Sequence, residues 1–242
     1  MIASLSISRF CHRFTWPHWS MCSLALLGMV FFSSLGVWQL HRADEKKLTL
    51  AREAEEAARA PELWLGDNND IKPFKRVKFA GKFLPHVFFL DNQYHAHQIG
   101  YHVISPILMP TGRVVLLDRG WVPAGATRQI LPDIDIPQKI LDLSGVIYMP
   151  SAKTWVLGSG VENEQGNQMV IESLDFNLIS QILHKSVYPF IIRLDKSSLA
   201  GFVRDWVTVV MPPVRHLGYA FQWFALAFVV LVVFVGLNSR KK

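Results

Sequence analysis

The chain has 242 residues, half of them hydrophobic, and a formal net charge of +6 scattered along its length. That leaves room for one ordinary domain plus a membrane portion, and it argues against nucleic acid as a partner, because no basic stripe gathers the charge. The two cysteines, Cys11 and Cys22, both lie in the N-terminal tail or the first apolar run, which excludes a disulfide framework or a zinc ribbon from everything that follows.

Residues 1–18 read as a short tail with Arg9 and Arg13 ahead of the first apolar run. From Trp19 to Leu40 there are 22 residues without a charged side chain. At about 1.5 Å per residue such a helix reaches roughly 30 Å, the thickness of a bilayer's hydrocarbon layer. The run exceeds the apolar core of a secretory signal, and His41-Arg42-Ala43 after it does not resemble a cleavage site, so it reads as an uncleaved anchor.

Residues 41–60 follow as a charged helical stalk: Arg42 to Arg59 carry five basic and five acidic side chains, with Glu55/Arg59 and Arg52/Glu56 spaced four apart, and Pro61 is the stop. Residues 61–215 change texture to short Val-, Ile- and Phe-rich segments separated by Gly, Pro, Asn and Asp. Strands are expected at Val77–Phe83, Val87–Leu90, Tyr101–Leu108, Val114–Leu117, Ile140–Tyr148, Met169–Glu172, Phe190–Leu194 and Phe202–Val210, with Thr111-Gly112 as a hairpin turn. One helix interrupts them, capped by Asp175 and apolar along Leu178, Ile179, Ile182 and Leu183.

The second span is expected over residues 216–237, with Gly218 to Leu237 free of charge, followed by a basic tail at 238–242. The fold class is therefore a membrane protein, two transmembrane α-helices flanking a β-rich α+β extramembrane domain. Counting Lys and Arg does not orient it, since Arg42, Lys46, Lys47, Arg204 and Arg215 flank the loop side while Arg9, Arg13, Arg240, Lys241 and Lys242 mark the ends. A loop longer than about 60 residues translocates largely regardless of charge. The central domain is expected outside, in a periplasm or its equivalent, with both termini cytoplasmic.

His86, His95, His97 and His102 fall close together, and His95 and His97 would share a face of an extended segment. Without cysteine or a carboxylate at ligand spacing they read as surface histidines, and no metal site is assigned. No GxSxG, Walker, HExxH or GxGxxG motif occurs. In Val115-Leu116-Leu117-Asp118-Arg119-Gly120-Trp121-Val122-Pro123, a buried strand ends in a segment where Arg119 and Trp121 are candidates for a partner-facing edge. Trp38, Tyr219 and Trp223 suit an aromatic belt at the membrane interface. His41 and His216, one at the outer end of each span, would bring two imidazoles to one site, where the aromatics suit the apolar face of a haem.

Gly36-x-Trp38-Gln39-x-x-Arg42-x-x-x-Lys46, Gly100-Tyr101, the run from Leu116 to Pro123, and His216-x-x-Tyr219-Ala220-x-Gln222-Trp223-Phe224 together resemble the signatures of the Surfeit locus protein 1 family. The resemblance runs from about residue 25 to the C-terminus and looks like that of a bacterial member. It implies a non-enzymatic assembly factor for haem-copper (cytochrome c) oxidase in the bacterial inner membrane, working with the catalytic subunit, other assembly factors and membrane lipid. It also implies haem a as cofactor, with His216 as iron-ligand candidate and His41, Trp38, Gln39, Tyr219 and Trp223 around it. Position 41 is not a fixed histidine in that pattern. A scaffold that docks on the oxidase without haem is the alternative, and an enzyme using His86, His95 or His97 with Asp91 is a third class.

Overall fold

The computed structural model describes residues 13–14, 19–66, 71–125, 127, 130–150 and 161–240. They contain three helices, α1 (Trp19–Ala57), α2 (Phe176–Leu183) and α3 (Pro213–Asn238), and eight strands of four residues or more. The strands are β1 (Arg76–Phe83), β2 (Val87–His95), β3 (Gln98–Leu108), β4 (Val114–Pro123), β5 (Leu141–Tyr148), β6 (Val161–Gln165), β7 (Gln168–Ile171) and β8 (Val187–Leu194). Two compact units emerge: one joins the chain's ends, up to Ala51 and from Thr208, and the other is Arg52–Val207. Residues 208–215, expected in the central domain, belong with the terminal unit.

In the terminal unit α1 and α3 run antiparallel. Gly28 lies against Val230, Phe32 stacks on Trp223, Gly36 meets Phe224 and Gln39 meets His216, so rising numbers on one helix match broadly falling numbers on the other. The buried positions are sparse and small: Ala25, Gly36, Gln39 and Ala43 on α1, and His216, Ala220, Ala227 and Asn238 on α3. Many of the other leucines, valines and phenylalanines, among them Leu24, Leu27, Phe221 and Phe228, are exposed. The apolar stretch of each helix, exposed on most sides and joined to the other through small residues, suits a lipid solvent. Arg13–Phe14 pairs with Ser239–Arg240, which brings the two tails to the same end of the helix pair. Arg9, Lys241 and Lys242 lie outside the described residues.

In the central unit one sheet runs β1-β5-β8-β4-β3-β2-β7-β6, with Glu62–Leu63 added outside β1. It closes on itself where Lys82 and Phe83 of β1 pair with Leu108 and Ile107 of β3. Strands β1, β5, β8, β4 and β3 thus form a small barrel, and β2, β7 and β6 extend from it. Alternation fills the barrel: Val77, Phe79 and Phe83, Ile107, Val115 and Leu117, Leu143 and Ile147, and Tyr188, Phe190, Ile192 and Leu194 all point in, joined by Trp64 and Met109. Opposite residues of the same strands, among them Ile104, Val114, Leu116 and Ile191, pack beneath Ile179 and Leu183 of α2. That helix is capped as its sequence demands, with the Asp175 carboxylate accepting the N–H groups of Asn177 and Leu178.

The strand expected at Phe202–Val210 does not form, and only Val203 bridges Trp121. Its neighbours spend their hydrogen bonds otherwise: Arg204 Nη1 donates to the carbonyls of Asp195 and Ser198, and Trp206 Nε1 to that of Leu194. Strand β6 was not expected; its Val-Glu-Asn-Glu-Gln sequence shows no apolar alternation, and the ladder to β7 alone defines it. His95 and His97 do not share an extended face, because Ala96 and His97 form a two-residue turn with φ of 47° and 65° between the paired residues His95 and Gln98.

A buried histidine and glutamine in the apolar helix pair

Helix α3 starts at Pro213, a residue suited to a first turn because it lacks the N–H that would be unpaired there. His216 sits in that first turn and is only 6% exposed. Its Nδ1 lies 2.7 Å from Oε1 of Gln39, itself 9% exposed, so each helix contributes one buried polar side chain and the two meet. The other ring nitrogen, Nε2, is buried and has no hydrogen-bond partner. One turn deeper the Phe224 ring covers Gly36 so closely that a Cβ at position 36 would lie 2.7 Å from it. Deeper again, Phe32 and Trp223 stack with ring centres 5.9 Å apart. Fully buried Ala43 and nearly buried Ala220 belong to the same contact stripes.

Of the residues expected to meet here, His216, Gln39 and Trp223 do share the helix contact. His41 does not. It is exposed, two residues past Gln39, which turns it about 200° round α1 from the buried face. A site with both imidazoles is therefore not what the helix pair builds. Trp38 and Tyr219 are 53% and 45% exposed and face outward, as belt aromatics do.

The partner-facing reading of Arg119 and Trp121 is also overturned, since they are only 3% and 6% exposed. Strand β4 is buried on both faces, and both side chains tie the central unit together. Arg119 donates from Nε to the Ala200 carbonyl at 2.6 Å and from Nη1 to that of Asp135 at 2.9 Å, with its guanidinium 4.8 Å from the Phe202 ring centre. Burial pulls its pKa down to about 10, against a smaller upward effect of Asp135. Trp121 Nε1 donates to the Gln93 carbonyl. Gly120 has φ of +113°, and a Cβ there would come 2.5 Å from the Val203 carbonyl oxygen, so the segment after β8 can bond β4 only across a glycine.

Asp118 supplies a contact that the sequence reading missed. Its buried carboxylate accepts the Gly120 N–H at 3.1 Å and faces His102 Nδ1 at 2.9 Å. Counting outward from the Thr111-Gly112 turn sets Ile104 opposite Asp118, and the bulge beside it slides His102 opposite Trp121. The turn was legible, but the bulge was not. The four clustered histidines scatter: His102 goes to Asp118, the His95 ring lies 5.2 Å from Trp121, His97 occupies the turn, and His86 buries its Nδ1. Among the described residues no three His, Cys, Asp or Glu side chains converge on a metal-sized space.

A family model described as the SURF1 family matches residues 26–228, a stretch that takes in most of both long helices and the whole barrel. The chain belongs to the SURF1 family. It is 26% identical to a SURF1-like protein of Rickettsia bellii over 86% of this chain and 87% of that relative. A SURF1-like protein of Caenorhabditis briggsae is 24% identical over 90% of this chain and 75% of its own length. One from Dictyostelium discoideum is 35% identical over 106 residues, 36% of this chain. The SURF1 match thus spans the Gln39 and His216 helices as well as the β4 motif between them. In this member, the β4 motif is structural and the one buried imidazole of the helix pair is His216.

Proposed function

We propose that this SURF1-family chain is a non-enzymatic assembly factor for cytochrome c oxidase that holds haem a through His216 for the oxidase's catalytic subunit. The observation that carries the reading is a buried imidazole in an apolar helix pair with Nδ1 bonded and Nε2 bare. A polar group in such surroundings is costly unless it is used. A neutral imidazole is a common axial ligand of haem iron, and the donor set fits: His216 Nε2 would take the iron, while Phe32, Trp223 and Phe224 supply apolar surface nearby. Haem a, when bound, would supply an iron centre that the His216 imidazole could hold. The chain's part is to hold, orient and shield it, in concert with other assembly factors.

The proposed setting is a bacterial inner membrane crossed twice, with the central domain periplasmic and both tails cytoplasmic. Long loops translocate whatever their charge, and tails that share one end of the helix pair suit a single side. The scaffold reading, docking without haem, has one observation in its favour: Nε2 is enclosed, so an iron must displace what covers it. Protein purified from cells that make haem a decides between them. Wild type is expected to carry a haem absorbance band that His216→Ala loses. Wild type without haem that still copurifies with the oxidase subunit would leave the scaffold.

A further inference from the structure

We infer that Gln39 is a positioning residue for that haem, setting which nitrogen of His216 carries the proton. The inference rests on the haem reading for its purpose, though not for its geometry. An amide oxygen 2.7 Å from a ring nitrogen makes a hydrogen bond only if that nitrogen is protonated. The Gln39 oxygen therefore selects the Nδ1–H form and leaves the lone pair of a neutral ring on Nε2, the atom without a partner. The same bond fixes the plane of the ring, because both side chains are buried and their helices are held by the Phe224 contact at Gly36.

Two features separate this from ordinary polar attachment between helices. Attachment alone needs only the Nδ1–H contact and is indifferent to what surrounds the second nitrogen, whereas a ligand position needs Nε2 unprotonated and without another partner, as it is here. His216 also sits in the first turn of α3, so the pair marks the last point at which the two helices run side by side, while α1 continues to Ala57.

The test uses full-length protein in detergent, labelled with 15N-histidine and free of haem, then titrated with haem a. In wild type the His216 ring is expected to show Nδ1 protonated and Nε2 bare. In Gln39→Leu the proton moves to Nε2, the form an unconstrained imidazole prefers, and haem a binds roughly 10- to 100-fold more weakly, as for loss of other groups that orient a ligand. Gln39→Glu keeps an acceptor oxygen at the same reach in either protonation state and is expected to retain both the Nδ1–H form and the binding.

A Gln39→Leu protein that keeps Nδ1–H, or a Gln39→Glu protein that behaves like Gln39→Leu, overturns the inference. So does haem binding that Gln39→Leu leaves intact while His216→Ala abolishes it; the ligand role of His216 then stands alone. Wild type that shows the Nδ1–H form but never takes haem keeps the positioning and removes the haem function.

Discussion

Arg119 illustrates how a charged side chain can be structural. Its guanidinium satisfies the carbonyls of Ala200 and Asp135 and so adds a side-chain tie between β4 and two loops. Arg119→Leu removes two charge-assisted hydrogen bonds made by a buried side chain, so a loss of about 2–4 kcal/mol in stability is expected, measured as a lowered denaturant midpoint of the purified protein. Because folding pulls the Arg119 pKa below its ordinary value to about 10, the cost of burying its charge is complete below about 10 and is relieved only as pH rises past it. Stability at neutral pH should then be insensitive to this group. Asp205 has the opposite sign of dependence. The hydrogen bond from Lys196, then its charge, and more weakly His95 hold the carboxyl below its ordinary value. What it contributes is present above that value and is lost as pH falls through the lowered one. Asp205→Asn should flatten the acid limb of a stability profile slightly, and high salt should erase the difference, since the carboxylate is exposed.

At the scale of elements, the helix pair depends on one close approach. Replacing Gly36 by Leu puts a side chain where the Phe224 ring lies, so α1 and α3 must part there or Phe224 must turn out. Cysteines at Gly28 and Val230, whose side chains would be in van der Waals contact, give a readout in a chain whose own cysteines have been changed to serine. Oxidation of that pair is expected to be efficient in membranes and to fall several-fold when Gly36→Leu is added; undiminished crosslinking would mean that Phe224 yields and the helices do not. His216 was legible as an imidazole at the mouth of an apolar run, and Gly36 and Gln39 only through the family signature they belong to. The barrel strands were legible because their cores alternate. Phe202–Val210 misled because it is apolar and extended yet bonded through side chains, and β6 stayed hidden because its polar sequence gives no period. Arg119 and Trp121 looked like surface features only because a sequence does not show that β4 has neighbours on both edges and cover on both faces.

For the whole molecule the decisive question is sidedness, because it fixes which compartment the Gln39–His216 end of the helix pair adjoins. If both helices cross the bilayer, the segment between them emerges on the side where α3 begins with His216. Local charge leaves the choice open, since basic residues flank the loop as well as the tails, and only the length of the loop argues for export. Two single cysteines resolve it in a chain whose own cysteines have been replaced: Gln138→Cys, exposed on the central unit, and Ser239→Cys at the tail end of α3. With a membrane-impermeant maleimide on spheroplasts, position 138 is expected to label at once and position 239 only after the membrane is opened. The reverse pattern would put His216 at the cytoplasmic face, and the proposed haem role would have to be redrawn around that surface.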